Sequence, residues 1–279
     1  MAPMTDQLRV VSHGGGVQTT AMLVLAAQGR IDYHTFLFAN VGDDSEHPGT
    51  LRYLREIAMP YADAHGITIH ELHKTRSDGT HETVLGRIMK PGSKSDVIPV
   101  RLNSGVPGSR SCTTDFKIRV IGKWLKEHGA TKDNPATVAV GISADEIHRA
   151  NTAKREPYEQ LVYPLIRKGD DSLPRPLNRS DCERIIRDAE LPSPGKSACW
   201  FCPNHRMGEW ANMARQEPDL FERSAQIEDY IQTRRTDPEP VWLSNALIPL
   251  RRAFGGAADQ LTFEGMDEDQ HCDNGWCMT

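Results

Sequence analysis

The sequence predicts an α/β fold with a mostly parallel sheet, and three observations carry that prediction. Short apolar runs at residues 8–11, 36–39 and 137–140 read as buried strands. Helical periodicity follows or separates them, at residues 17–27, after Pro48, and at residues 116–125. Strands that alternate with helices pair in parallel, because each crossover helix returns the chain to the same sheet edge.

In order along the chain, strand 8–11 leads through Ser12, His13 and three glycines, Gly14 to Gly16, into the first helix. The second strand ends in Asn40-Val41-Gly42-Asp43-Asp44. Pro48 suits the first turn of the next helix, where Leu51, Leu54, Ile57 and Ala58 fall at helical spacing. Residues 67–72 alternate as in a half-buried strand. Residues 74–110 are rich in Gly, Pro, Ser and charge, and read as a long functional loop with one short helix at 84–89.

Ile118, Ile121 and Leu125 share one helix face, and strand 137–140 runs into Gly141-Ile142-Ser143-Ala144-Asp145-Glu146. After Tyr163 the pattern becomes turn-rich, followed by a helix at 180–189, a cysteine segment, and helices at 207–216 and 218–233. This divides the chain into an α/β domain bearing the glycine loop (1–175), a helical element carrying Cys199-x-x-Cys202 (176–254) and a flexible tail (255–279) with Cys272 and Cys277.

At 279 residues the chain is long enough for a substantial core. The net charge of -5 argues against a large non-specific nucleic-acid surface, and the basic track Lys117, Arg119, Lys123, Lys126 reads as a solvated helix face. No run approaches the roughly 18–20 apolar residues of a membrane span, and the opening residues lack a basic-then-apolar leader, so a cytoplasmic location is expected. Six cysteines in such a chain point to metal binding or catalysis before disulfides.

Three consecutive glycines between a strand and a helix let backbone N–H groups approach a phosphate, and the helix N-terminus favours an anion. The loop is not a Walker A, since Val17, Gln18, Thr19 and Thr20 stand where Gly-Lys-Ser/Thr is required. Thr19 also displaces the last glycine of a dinucleotide fingerprint. Residues 12–20 resemble the PP-loop of the adenine nucleotide alpha hydrolases, the superfamily of ATP pyrophosphatases and phosphoadenylyl-sulfate reductases, with its patterns SGGxDS or SxGxQ. Gln18 occupies the usual Asp position and Thr19 the usual Ser. A glutamine hydrogen-bonds phosphate but is a poorer Mg²⁺ ligand than aspartate.

The resemblance implies a Rossmann-like three-layer domain, a nucleotide held by Ser12, Gly14, Gly15, Gly16, Gln18 and Thr19, and an adenine and ribose beside Phe38, Ala39 and Asn40. Asp43, Asp44 and Glu46 are then candidates for Mg²⁺ or ribose. The segment from Gly141 through Asp145 to Arg149 resembles the family's G-x-R/S-A-D-E-S-x-x-R stretch, which assigns Arg149 to phosphates through its forked guanidinium.

The Cys199-x-x-Cys202 spacing alone fits half a zinc site completed by His205, a redox dithiol, or part of an iron–sulfur cluster. Cys112, followed at the fifth position by Lys117, lies 87 residues before Cys199. This is similar to the iron–sulfur adenylyl-sulfate reductases, with the second cysteine of their tandem missing, and implies a four-iron four-sulfur cluster on Cys112, Cys199 and Cys202. Zinc and reduced thiols remain alternatives. Cys182, near a helix start, reads as a buried small residue or as a thiolate favoured by the helix dipole.

The function so implied is nucleotide-dependent sulfur transfer, similar to the sulfur-activating subunit of DNA phosphorothioation systems. ATP with Mg²⁺ adenylates an acceptor, Lys117 and Arg149 offset charge, and Cys272 or Cys277 handles sulfur. Its partners would be a sulfur-donor protein such as a cysteine desulfurase, a nucleic-acid acceptor reached through a complex, and a second copy of the chain. The alternatives are a reductase that acts on adenylyl-sulfate and releases sulfite, and a non-catalytic nucleotide-binding subunit.

Overall fold

The computed structural model describes residues 7–93, 96–151, 156–235 and 239–256. β1 (Arg9–Ser12) enters the glycine loop and α1 (Val17–Ala27). After β2 (Thr35–Asn40), α2 (Pro48–Tyr53) continues through a π turn at Leu54–Ala58 into α3 (Met59–Ala64). β3 (Thr68–His73) follows. The long loop then carries only α4 (Val84–Ile88) and β4 (Arg101–Leu102). α5 (Ser111–Thr113) passes through a second π turn at Thr114–Ile118 into α6 (Arg119–Glu127). β5 (Ala136–Val140), a 3-10 segment at Ala144–Asn151 and β6 (Glu159–Val162) complete the main sheet. The remainder is α7 (Arg179–Asp188), α8 (Met207–Gln216), α9 (Pro218–Arg234), β7 (Val241–Trp242) and α10 (Leu250–Phe254).

The five strands lie in the order β3-β2-β1-β5-β6, and every pair is parallel. The predicted α/β class is the observed one. On one face Val11, Phe36 and Phe38 pack against α1, α2 and α7; on the other, Val10, Leu37 and Val138 meet Ile121 and Leu125 of α6. α1 lies between sheet and α7 and is buried almost all round, which explains its apolar sequence.

Several features depart from the sequence reading. β6 was missed because Glu159 and Gln160 give it no apolar run, and as an edge strand it needs none. α7 packs on α1 in the first core, so this helix completes the α/β unit, whereas the boundary at 176 had assigned it to the C-terminal element. Cys182 has no exposure, and burial pushes its thiol up to about 12, so desolvation outweighs any stabilisation of a thiolate by the helix N-terminus. Cys272 and Cys277 lie outside the described residues. Among the described residues, no helix is long and apolar enough to cross a membrane.

A second core joins the long loop to the helical element, with Val97, Val100, Phe116, Trp200, Trp210 and Phe221 packed together. Glu228, only 3% exposed, ties that element together by accepting hydrogen bonds from Leu243 N and Leu250 N, both at 2.8 Å. Glu228→Gln replaces one acceptor with a donor facing a buried N–H. Its expected cost is about 1–2 kcal/mol in urea unfolding, with an unchanged denaturant slope.

Candidate nucleotide and cysteine site

The strand order reverses between β1 and β5, and ligands of open α/β sheets bind at the carboxyl ends of strands at such a point. The loops leaving these two strands touch there. A Cβ on Gly141 would stand 2.8 Å from Thr19 Cγ2 and 3.3 Å from Gln18 Cβ, so the loop after β5 packs directly on the first turn of α1. Gly16 caps α1 without a side-chain hydrogen bond, and no acidic residue occupies the first turn. The N-terminal amides of α1 therefore carry neither a side-chain cap nor an acidic residue within their own turn, which suits that helix end to an anion. Gly15 holds a φ of 74°, the left-handed region that turns the loop over.

Gln18 connects the glycine loop to the loop after β5. Its amide donates to Ser143 Oγ at 3.4 Å and to Glu146 Oε2 at 3.3 Å. Glu146 in turn holds the nearly buried Arg149 through a 2.5 Å contact. Gln18 thus braces the two loops and fixes the carboxylate that orients Arg149. Exposed Asp145 accepts from Arg179 N at 2.9 Å and ties this segment to the start of α7.

At the end of β2, Phe38 and Ala39 are buried, and Asn40 is 1% exposed. Its amide donates to Asp43 Oδ1 at 2.7 Å and Glu71 Oε1 at 2.6 Å and accepts from Gly42 N at 2.8 Å. The Arg55 guanidinium, which also bonds Glu71, holds the Asp43 carboxyl below the usual range. Asp44 accepts from Ser45 and Thr83 hydroxyls. These two acids shape the 41–47 loop, and Glu46, 2% exposed, lies 3.9 Å from Lys117 Nζ.

That loop is also the seat of the cysteine segment. Glu46 and Cys199 form an antiparallel bridge, flanked by His47 N to Ala198 O at 3.0 Å and Trp200 N to Ser45 O at 3.2 Å. Trp200 Nε1 donates to Asp44 O at 2.9 Å. The ladder carries Ser197 over the glycine loop. Ser197 Oγ is 3.4 Å from where a Gly16 Cβ would stand, and Ser197 Cβ is 3.8 Å from that of Gly15. Sequence reasoning missed Ser197, since a lone serine among prolines has no motif to mark it.

Cys202 closes a turn onto Cys199 O at 3.0 Å, and Cys112 N is anchored on Val97 O at 2.9 Å, at the head of the helix that also bears Lys117. Cys112 and Cys199 pack against the same apolar cluster. His205 places Nε2 on Cys199 O at 3.0 Å, and its Nδ1 lies 3.5 Å from a Glu209 carboxylate oxygen. Arg101, 4% exposed, reaches only Pro203 O and Asn204 Oδ1, at 3.4 and 3.3 Å. Among the described residues no carboxylate pairs with it. This buried cation therefore lies against the two residues that follow Cys202. In residue type the three cysteines fit an iron–sulfur centre, although no three His, Cys, Asp or Glu side chains among the described residues stand ready around a metal.

The basic track is neutralised locally: Arg119 pairs with Asp115 and Lys123 with Glu127, while Lys126 covers the Tyr158 ring.

No protein-family model and no curated protein matches the chain. Among solved structures it is similar to the phosphoadenylyl-sulfate reductase of Candida auris in a phosphate complex, at 14% identity and a TM-score of 0.42, over 69% of this chain and 78% of that one. It is also similar to the U34-tRNA thiolase NcsA of Methanococcus maripaludis with its four-iron four-sulfur cluster, at 11% identity and a TM-score of 0.42, over 84% of this chain and 73% of that one. At that level of superposition neither carries an argument, and the α/β assignment stands on the sheet itself.

Proposed function

We propose that this chain is a PP-loop-type, nucleotide-dependent sulfur-transfer enzyme. The observation that carries the reading is the placement of Ser197 against Gly15 and Gly16 with Cys199 two residues further on, which brings the glycine loop and a cysteine segment together. ATP lies with its phosphates on the α1 amides, Mg²⁺ travels with the nucleotide, and adenine borders Phe38, Ala39 and Asn40. An acceptor oxygen attacks the α-phosphorus, pyrophosphate leaves, and an adenylate forms. The terminal sulfur of a cysteine persulfide displaces AMP, and a second thiol frees the product by forming a disulfide with the carrier. Arg149, oriented by Glu146, and Lys117, near Glu46, offset the charge that develops.

A four-iron four-sulfur cluster held by Cys112, Cys199 and Cys202 would supply an open iron position for sulfur. The persulfide comes from a donor protein such as a cysteine desulfurase, and a DNA phosphate presented in a complex is the proposed acceptor. Enzyme, MgATP, a persulfide donor and acceptor DNA are expected to yield pyrophosphate and AMP in step with thiolated product. Absence of pyrophosphate with every acceptor sinks this reading.

Gln18 favours a second reading. Its amide is committed to Ser143 and Glu146, and the loop has no carboxylate for Mg²⁺. A reductase acting on adenylyl-sulfate needs no pyrophosphate cleavage, and a thiolate on Cys272 or Cys277 would attack its sulfur. Sulfite release from adenylyl-sulfate or its 3′-phospho form, without ATP turnover, identifies it.

A further inference from the structure

We infer that the cysteine element completes the nucleotide site, with the Ser197 hydroxyl as a direct phosphate ligand. The inference rests on the glycine loop holding a nucleotide, and it assigns a contact from outside the strand–loop–helix unit. Ser197 faces Gly15 and Gly16 at the distances above, and it is half-buried. Its position is set by backbone: Ala198 O receives His47 N at 3.0 Å, Cys199 bridges Glu46, and Trp200 N reaches Ser45 O at 3.2 Å. The Ser197 backbone therefore stays beside the loop unless this ladder opens.

The chemistry at this point is specific. The α1 amides approach a phosphate from one side only, and a phosphate oxygen directed away from the helix needs a donor from above. A hydroxyl is small enough to sit over Gly15 and Gly16 and donates without a fixed charge. Thr50 Cγ2 and Phe38 Cε2, at 3.2 and 3.3 Å from the position of a Gly15 Cβ, wall the other sides. A hydrogen bond to an ionised acceptor is among the stronger ones. Because Ser197 and Cys199 belong to one short segment, phosphate occupancy and cysteine position are linked through two residues of backbone.

Calorimetric titration of the full chain with ATP and, by competition, with adenosine tests this contact. Ser197→Ala is expected to weaken ATP about tenfold and leave adenosine unchanged, and Ser197→Thr, which keeps the hydroxyl, to retain most of the ATP affinity. Equal ATP affinity in wild type and Ser197→Ala overturns the contact while nucleotide binding itself stands. A parallel loss of ATP and adenosine also overturns it, since the serine would then act only through packing. A wild-type chain that binds neither ATP nor adenylyl-sulfate removes the nucleotide reading on which the inference depends.

Discussion

Gly15→Val is expected to raise the dissociation constant for ATP about a hundredfold while the chain still folds. Two costs add. Gly15 sits at φ 74°, where an L-residue costs roughly 1–2 kcal/mol and a β-branched one more. Its Cβ would meet Thr50 Cγ2 at 3.2 Å, Phe38 Cε2 at 3.3 Å and Ser197 Cβ at 3.8 Å, so the Cβ is already tight against two neighbours before two further methyls are added. Relief requires moving the start of α2, the end of β2 or the ladder that seats Cys199, and each displaces a wall of the phosphate cradle. Forced overpacking costs typically about 1–3 kcal/mol. Together they come to about 2–5 kcal/mol, and because relief means opening the loop's walls, the middle of that range carried into binding corresponds to the roughly 2.8 kcal/mol of a hundredfold loss. Gly195, which has nothing within 4 Å of an added Cβ, is the control: Gly195→Ala should bind as the wild type does. Calorimetric titration reports affinity and thermal unfolding reports the fold. An affinity within tenfold of wild type for Gly15→Val would show that the loop does not hold the phosphates.

The sheet was legible because its central strands carry short apolar runs and its glycines stand where the chain must turn. With Val11 and Phe36 buried on one face of the parallel sheet and Val10, Leu37 and Val138 on the other, the strands leave a signal that needs no partner to interpret. β6 left none, since an edge strand tolerates Glu159 and Gln160. In the site, the glycine loop and Cys199-x-x-Cys202 were each readable as local patterns, but their meeting was not. It depends on a bridge between Glu46 and Cys199 and on π turns at Leu54–Ala58 and Thr114–Ile118, which alter the helix register beside the site. Gln18 shows the same limit: its amide spans to Ser143 and Glu146, more than a hundred residues away, a contact that no local pattern announces.

His13 leads to the second large effect, on stability. It follows β1, is 2% exposed, and packs against Phe36 and Phe38 at ring separations of 5.8 and 6.3 Å. Neither ring nitrogen meets hydrogen-bond geometry. Burial pulls its pKa from 6.5 down to about 4, against a weaker opposing pull from the Thr19 backbone. Between these values the unfolded chain binds a proton that the folded chain does not, so stability rises with pH across the window. The contribution is fully present above 6.5 and is lost as pH falls towards 4. In total it amounts to about 3 kcal/mol, with about 2 kcal/mol gone by pH 5. His13→Phe removes the titrating group and leaves an apolar ring between two others. Other titrations are common to both proteins, so the difference in urea-unfolding free energy between wild type and His13→Phe isolates this residue. That difference is expected to widen by about 2 kcal/mol in favour of the variant between pH 7.5 and pH 5. Parallel loss in the two proteins would mean that His13 reaches solvent or a hidden partner as it protonates. A neutral His13 also bears on the proposed site: the histidine that introduces the glycine loop would bring no positive charge to a phosphate held there.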